Sequence, residues 1–400
     1  MRVAYYSPLP PSRSGIADYS ALLLPALAER IEVALARPGR FRRAPRGDVA
    51  LYHVGNDAEA HGWIVEALRR RPGVVVLHDF VLHHLVVGLT FARGDAAGYL
   101  DAMEREAGLP GRLLAYGVLD NRIPPLWETR PEEFPLAGEI LGLATGLIVH
   151  SHHVEDRARA AGYEGPVWRI PHPAWPVPPI EPAALDGEPL YGCFGNLNEA
   201  KRIPQLLAAF GRVRERRPGA RLVLVGSATP RVASLEAPEG VTREEYVDEP
   251  RLWSLMARCD VCVSLRAPTM GETSGSAVRA LSLGKPLVVS DVGWFAELPG
   301  EVALKVPVDE HEVETITAAL ELLASEEPRR AMGEAARALS EREHSLDRVA
   351  EAYVAALEEA AGGQAVHEAV LREVASAAAE TGLRETGELA ERLNEVGLGG

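Results

Sequence analysis

Cysteine and lysine each occur only three times in the 400-residue chain. Cys193, Cys259 and Cys262 cannot make a disulfide framework. Cys259 and Cys262 spell a lone C-x-x-C across the start of an apolar run, with no second pair to complete a zinc site, and read as small buried hydrophobes. Long hydrophobic runs are also missing. The longest, such as VVVL and LVLV, fall far short of the ~18 residues that span a bilayer, which leaves only peripheral membrane contact open. No charged-then-apolar leader precedes the first strand-like run, RVAYY, which points to the cytoplasm or, at most, the inner face of the membrane. Dense Lys/Arg runs are absent and the formal net charge is −15, which argues against a nucleic-acid partner gripped through its backbone. The shortage of lysine beside abundant arginine reads as genome base composition, because thermophiles enrich Lys and Glu. It makes each lysine more informative.

The remaining composition, 47 % hydrophobic and 25 % charged, is that of a globular protein, and the length suggests about two or three domains. Short apolar runs alternate with helix-period segments, the pattern of a parallel sheet covered on both faces. Strands are predicted at 2–6, 31–35, 49–53, 74–78, 146–150 and 167–170, and again at 190–194, 221–225, 243–247, 260–265, 286–290 and 302–306. Between the two series, PHPAWPVPPIEPAALDGEP (171–189) resists helix and strand alike, because proline lacks the donor and fixes its own backbone angle. This divides the chain into a first α/β domain (1–174), a Pro-rich linker (175–188), a second α/β domain (189–345), a C-terminal helix packing back across the domains (346–362) and an amphipathic tail (363–400). The tail reads as two short helices interrupted at Thr381-Gly382, covering the protein's own surface or a homodimer mate. Two doubly wound sheets joined in this way face each other across a cleft, and ligands of such sheets bind at the strands' carboxyl ends.

Several motifs fall on those ends. YGCFGNLNEAKR leaves its strand at Phe194, turns at Gly195 and brings Lys201 to the first turn of a helix, where a cation opposes the dipole unless it has an anion to meet. The loop PTMGETSGS carries one carboxylate, Glu272, followed by Thr273, Ser274, Gly275 and Ser276. A helix beginning near Gly275 leaves those amides free for an anion such as phosphate. Glu272 then has to point away from the anion, toward hydroxyls. In SPLPPSRSGIADYS, Gly15 starts a helix and lets backbone approach a ligand. VVVLHDFVLHH places His78 at a carboxyl end, against the default reading of a core histidine. His83 and His84 fall on the next helix without ligand-spaced partners, so no metal is expected.

Together these motifs resemble the retaining glycosyltransferases of family 4, the "glycosyl transferases, group 1", of GT-B fold, over residues 1 to about 362. The strongest pieces are GCFGNLNEAKRIPQLLAAFGRVRERRPGARLVLVG and DEPRLWSLMARCDVCVSLRAPTMGETSGSAVRALSLGKPLVVSDVGWFAELP. The resemblance implies GT-B architecture, two Rossmann-like domains with the donor on the second and the acceptor on the first. It implies transfer of a sugar from a nucleotide-diphosphate donor to a glycan, lipid or small molecule, with retention and without cofactor or metal. Glu272, His78 and Lys201 would be catalytic. Gly15, Asn196, Lys201, Arg202, Thr273, Ser274, Gly275 and Ser276 would surround the donor phosphates, and Tyr246, Val247 and Asp248 the nucleobase. Two positions depart from the family's pattern. Ala280 stands where a second glutamate usually binds the ribose, and Asn196 where a basic residue commonly helps with the diphosphate, with Arg202 a partial substitute. These departures predict weakened nucleotide binding. They keep two alternatives in view: a non-catalytic glycan- or nucleotide-sugar-binding relative, and a GT-B sugar-nucleotide epimerase.

Overall fold

The computed structural model describes residues 1–12, 14–39 and 45–380, with side chains through residue 363. Among these residues the chain forms two six-stranded sheets, parallel throughout. The first holds β1 (Arg2–Tyr6), β2 (Glu32–Leu35), β3 (Val49–Val54), β4 (Gly73–Leu77), β5 (Ala144–Val149) and β6 (Val167–Arg169), in the order β2-β1-β3-β4-β5-β6. The second holds β7 (Leu190–Phe194), β8 (Arg221–Val225), β9 (Val241–Glu244), β10 (Val261–Ser264), β11 (Leu287–Ser290) and β12 (Ala303–Val306), in the order β12-β11-β10-β7-β8-β9. Central strands β3, β4 and β7 are buried along their whole length, as covered parallel strands must be, whereas edge strands β2, β6 and β9 show partial exposure. β9 stops at Glu244, short of its predicted end, where the Gly226 amide donates to the Glu244 carbonyl at 2.9 Å.

The winding reverses between β1 and β3 in the first sheet and between β7 and β10 in the second. At these switch points the segments 7–12, 55–57, 195–202 and 265–274 emerge from the carboxyl ends of the strands. Side-chain caps start the helices that follow: Ser14 for Gly15–Ala28, Asp57 for Ala58–Arg70 and Ser274 for Gly275–Ser282.

One long helix spans Ala96–Leu119, kinked at Ala107–Gly108. Pro110 falls in the opening turn of the second half, where its missing N–H is no loss. With the short helix Leu126–Thr129, this segment builds its own small core from Tyr99, Met103, Ala115, Val118, Leu126 and Phe134. The C-terminal helix runs unbroken from Leu346 to Glu380, through the Gly362-Gly363 pair. Residues 381–400, and with them the predicted second tail helix, lie outside the described residues.

The C-terminal helix joins the first domain's core. Val349, Tyr353 and Leu357 pack with Tyr19, Leu23 and Leu27, and the Tyr19 and Tyr353 hydroxyls meet at 2.6 Å. Where this helix departs from the second domain, it lies against the linker: the Ala174 amide donates to the His344 carbonyl, and His344 Nδ1 to the His172 carbonyl, each at 2.7 Å. Across the cleft, the amides of Phe80 and Val81 both donate to the Met270 carbonyl, at 2.7 and 2.9 Å. Glu297 accepts from the His152 and His153 amides at the start of the helix His152–Ala160, at 3.0 and 2.6 Å, placing a carboxylate on a helix N-terminus of the other domain.

Gly226 has φ +135°, and a Cβ there would stand 2.2 Å from the Gly195 carbonyl oxygen. Gly226→Ala is expected to cost roughly 2–4 kcal/mol in urea unfolding. Gly162→Ala, at φ +88° with nothing within 4 Å, should cost only the backbone part, about 1–2 kcal/mol.

Candidate active site

The loop after β10 is folded around Glu272. Oε2 accepts from the Met270 amide at 2.7 Å and from Thr269 Oγ1 at 3.1 Å, while Thr269 Oγ1 accepts from the Gly271 amide at 3.0 Å. Oε1 lies 2.7 Å from Arg266 Nε, an ion pair whose side chains are 13 % and 20 % exposed and whose N–H is not aligned as a hydrogen bond. A carboxylate offers about four lone-pair sites. Glu272 therefore keeps room for a hydroxyl, although most of its capacity holds the loop. Arg266 had no role in the sequence reading.

Lys201 stands on the 3-10 turn Glu199–Lys201, ahead of the helix in which it was expected, and is 4 % exposed. Its Nζ donates to the Phe194 carbonyl at 2.5 Å, which leaves two of three donors unused. Burial pulls its pKa down to about 8, assisted by the positive charge of Arg266 and opposed by Cys193 and Glu272. Exposed Gly195, at φ +95°, is the access to this ammonium: a Cβ there would lie 3.5 Å from Nζ. Asn196 is exposed beside it, and no hydrogen bond reaches its side chain from the described residues. Arg202, expected beside the donor phosphates, is paired within the protein. Its guanidinium is turned to Glu312, a carboxylate 2 % exposed on the helix Glu312–Leu322, and its backbone takes φ +55°.

At the helix Gly275–Ser282, Ser274 Oγ caps the Ala277 amide at 3.3 Å and lies 3.1 Å from Ser276 Oγ. The Gly275 and Ser276 amides find no acceptor among the described residues, and Thr273 Oγ1 is buried without a partner. Gly15, the first residue of its helix, faces open space. Ala280 is fully buried in the second domain's core, so the side chain at that position meets no cleft ligand; its neighbour Arg279 points there instead. Of the residues expected around the nucleobase, Tyr246 is 67 % exposed, Val247 packs on the core and Asp248 caps Glu249–Arg258 by accepting from the Arg251 amide at 3.0 Å.

His78, directly after β4, is 8 % exposed and belongs to a buried cluster that the sequence did not reveal. Its Nε2 lies 2.9 Å from His53 Nδ1, and its ring centroid is 4.7 Å from Tyr19 and 5.2 Å from His150. His150 and His172 turn Nδ1 to the carbonyls of Ile170 and Pro173, at 2.7 and 2.8 Å. The Nδ1 side of His78 is free of protein partners among the described residues, as are Nε2 of His53 and of His150. Burial holds the pKa of His53, His78 and His172 well below the usual histidine value, with His150 as a further cause in each, and pulls His150 itself to about 4.

Asp79, the residue after His78, carries no motif signal in the sequence and sits opposite Glu272. Its Oδ2 accepts from the Asn56 amide at 2.9 Å. Burial first, then the charge of Glu272, raises its pKa to about 7 against the opposing Asn56 bond and Arg266.

The family model described as "Glycosyl transferases group 1" matches residues 188–325, the second domain, which is less than half of the chain. No curated protein matches the sequence. Among solved structures, the chain is similar to sucrose-phosphate synthase from Thermosynechococcus elongatus, at 17 % identity and TM-score 0.59, over 90 % of this chain and 98 % of that one. It is also similar to Anabaena HepE in complex with UDP and glucose, at 15 % identity and TM-score 0.58, over 90 % of this chain and 100 % of the other. The pneumococcal O-GlcNAc transferase GtfA, in complex with UDP and GlcNAc, aligns at 12 % identity and TM-score 0.54, over 80 % of this chain and 58 % of that one. The fold is GT-B, two Rossmann-like domains facing across a cleft.

The buried neutral histidines and Asp79 act on stability in opposite pH windows. The histidines' folded pKa lies below the unfolded value of about 6.5, so the stability they permit above that pH is lost as pH falls toward 4, and the melting temperature should drop steeply there. Asp79 keeps in the folded chain a proton that the unfolded chain releases at about 3.9, so it costs stability as pH rises toward 7. Thermal melts of Asp79→Asn should exceed wild type at pH 8 and equal it at pH 4.

Proposed function

We propose that the protein is a glycosyltransferase that moves a sugar from a nucleoside-diphosphate donor to an acceptor hydroxyl, with retention at the anomeric carbon and no bound metal, in the cytoplasm. The observation that carries this reading is the meeting, at one switch point, of the buried Lys201 ammonium, the Glu272–Arg266 pair and the free amides of Gly275 and Ser276. In such a transfer the bond from the anomeric carbon to the phosphate oxygen breaks with its electron pair, and charge develops on the departing diphosphate. Fixed donors that need no reorganisation stabilise that charge most. Lys201 and the two amides are donors of this kind, and each charge-assisted bond contributes on the order of 1.5–3 kcal/mol.

Glu272 holds the sugar through its remaining lone pair, and its bonds to Met270 and Thr269 fix where that lone pair lies. The Nδ1 side of His78 meets the sugar from the first domain. The acceptor hydroxyl attacks on the face the phosphate leaves, and its proton passes to the departing phosphate oxygen, which keeps the configuration and balances the charges. The helical segment from Ala96 to Phe134, on the first domain, contributes to acceptor choice. HepE and GtfA were solved with UDP, which makes UDP-sugars the first donors to test.

The engagement of Glu272 by its own loop favours one second reading, a relative that binds nucleotide sugars without transferring them. Incubation with a panel of UDP-, GDP- and ADP-sugars and acceptors, followed by nucleoside diphosphate release and the fate of the sugar, separates the two. Release coupled to a new glycoside with the donor's anomeric configuration is expected. Glu272→Gln should abolish turnover, and Lys201→Ala should lower kcat/KM by roughly 10²–10³-fold. Donor bound but never consumed would leave the binding reading alone standing.

A further inference from the structure

Arg279 is 9 % exposed, yet its guanidinium makes no hydrogen bond within the described residues. Its Nε is buried without a partner, and Glu249 Oε1 stands 3.9 Å from Nη2 on a side chain that is 60 % exposed. The guanidinium carbon stands over Trp175, 3.5 Å from the ring centroid, with Trp253 at 5.9 Å. A buried N–H without an acceptor, on a guanidinium that makes no hydrogen bond, is costly, and such a charge persists where something completes it. The start of the helix Gly275–Ser282 adjoins it: a Cβ on Gly275 would stand 3.7 Å from Arg279 Nη1 and 3.3 Å from the Trp175 ring. There the Gly275 and Ser276 amides are also unpaired. Asp18, in the first turn of the Gly15–Ala28 helix, brings the first domain to the same guanidinium as a distant countercharge, so the spot lies between the domains.

We infer that Arg279 is a donor-recognition residue: a phosphate group enters between its guanidinium and the free amides of Gly275 and Ser276 and satisfies both. Naming that phosphate as part of a nucleotide diphosphate rests on the function proposed above; the anion site itself does not. Trp175 holds the guanidinium in place from one side, and its fork offers two parallel bonds to phosphate oxygens, which an ammonium cannot reproduce. The cation that the sequence seemed to lack at Asn196 is thus supplied from helix position 279.

Calorimetry on the full chain with uridine, guanosine and adenosine diphosphates and inorganic pyrophosphate tests this, using Arg279→Met and Arg279→Lys beside wild type. The methionine variant should weaken the tightest diphosphate roughly 10- to 100-fold, and the lysine variant several-fold. Without ligand, Arg279→Met should melt no lower than wild type, because an unpaired buried charge is replaced by an apolar chain that still packs on Trp175. A structural arginine would show the reverse pattern, a lower melting temperature with unchanged affinity, and that result overturns the assignment while leaving glycosyl transfer standing. Arg279-dependent binding of pyrophosphate without binding of any nucleotide upholds the anion site and removes the nucleotide-sugar reading. A wild-type chain that binds none of the four overturns both. Should the methionine variant be unfolded, the lysine variant decides, full affinity in it counting against the guanidinium fork.

Discussion

The Met270 carbonyl, shared by the Phe80 and Val81 amides, is the contact on which the arrangement of the site depends. Buried backbone donors must find acceptors, and these two leave β4 with no partner in their own sheet. They find one on the loop that holds Glu272, two residues from the carboxylate. Gly271 allows the approach, since a Cβ there would press 2.8 Å from the Phe80 Cβ. The loop's shape, the Glu272–Arg266 pair and the environment of Asp79 are therefore properties of the joined domains. Neither sheet creates them alone.

The charged groups at this junction are held by one another more than by solvent. Lys201 leans on a carbonyl and Arg266 on Glu272, each with part of its bonding capacity unspent. Buried charges in that condition are expensive for folding and useful for binding, because a ligand of matching charge recovers what desolvation took away. Such groups do a binding site's work only when neighbours hold them in place. Ser274, Thr269 and Phe194 have that supporting role here.

The twelve strands were legible because parallel strands covered on both faces write continuous apolar runs, and the linker because proline excludes both regular structures. The loops bearing Lys201 and Glu272 were legible as well, since each interrupts an apolar run with glycine and polar residues at a strand's carboxyl end. Contacts between distant segments were not. Nothing near Arg202 announces Glu312, 110 positions away, and the histidine cluster gathers His53, His78, His150 and His172 from separate stretches. Ala280 and Arg279 show the finest limit. Adjacent helix residues point about 100° apart, so counting positions along a motif cannot tell which of the two faces the cleft.

The polypeptide crosses between its halves twice, through the linker and again where Leu346–Glu380 begins, and the two crossings are stitched side by side at Ala174, His172 and His344. A body attached along one line by two adjacent strands can swing like a door but cannot readily twist or slide. Any opening that admits a ligand and lets a product leave is thereby confined to rotation about that line, and each return swing delivers the Met270 carbonyl to the same pair of amides.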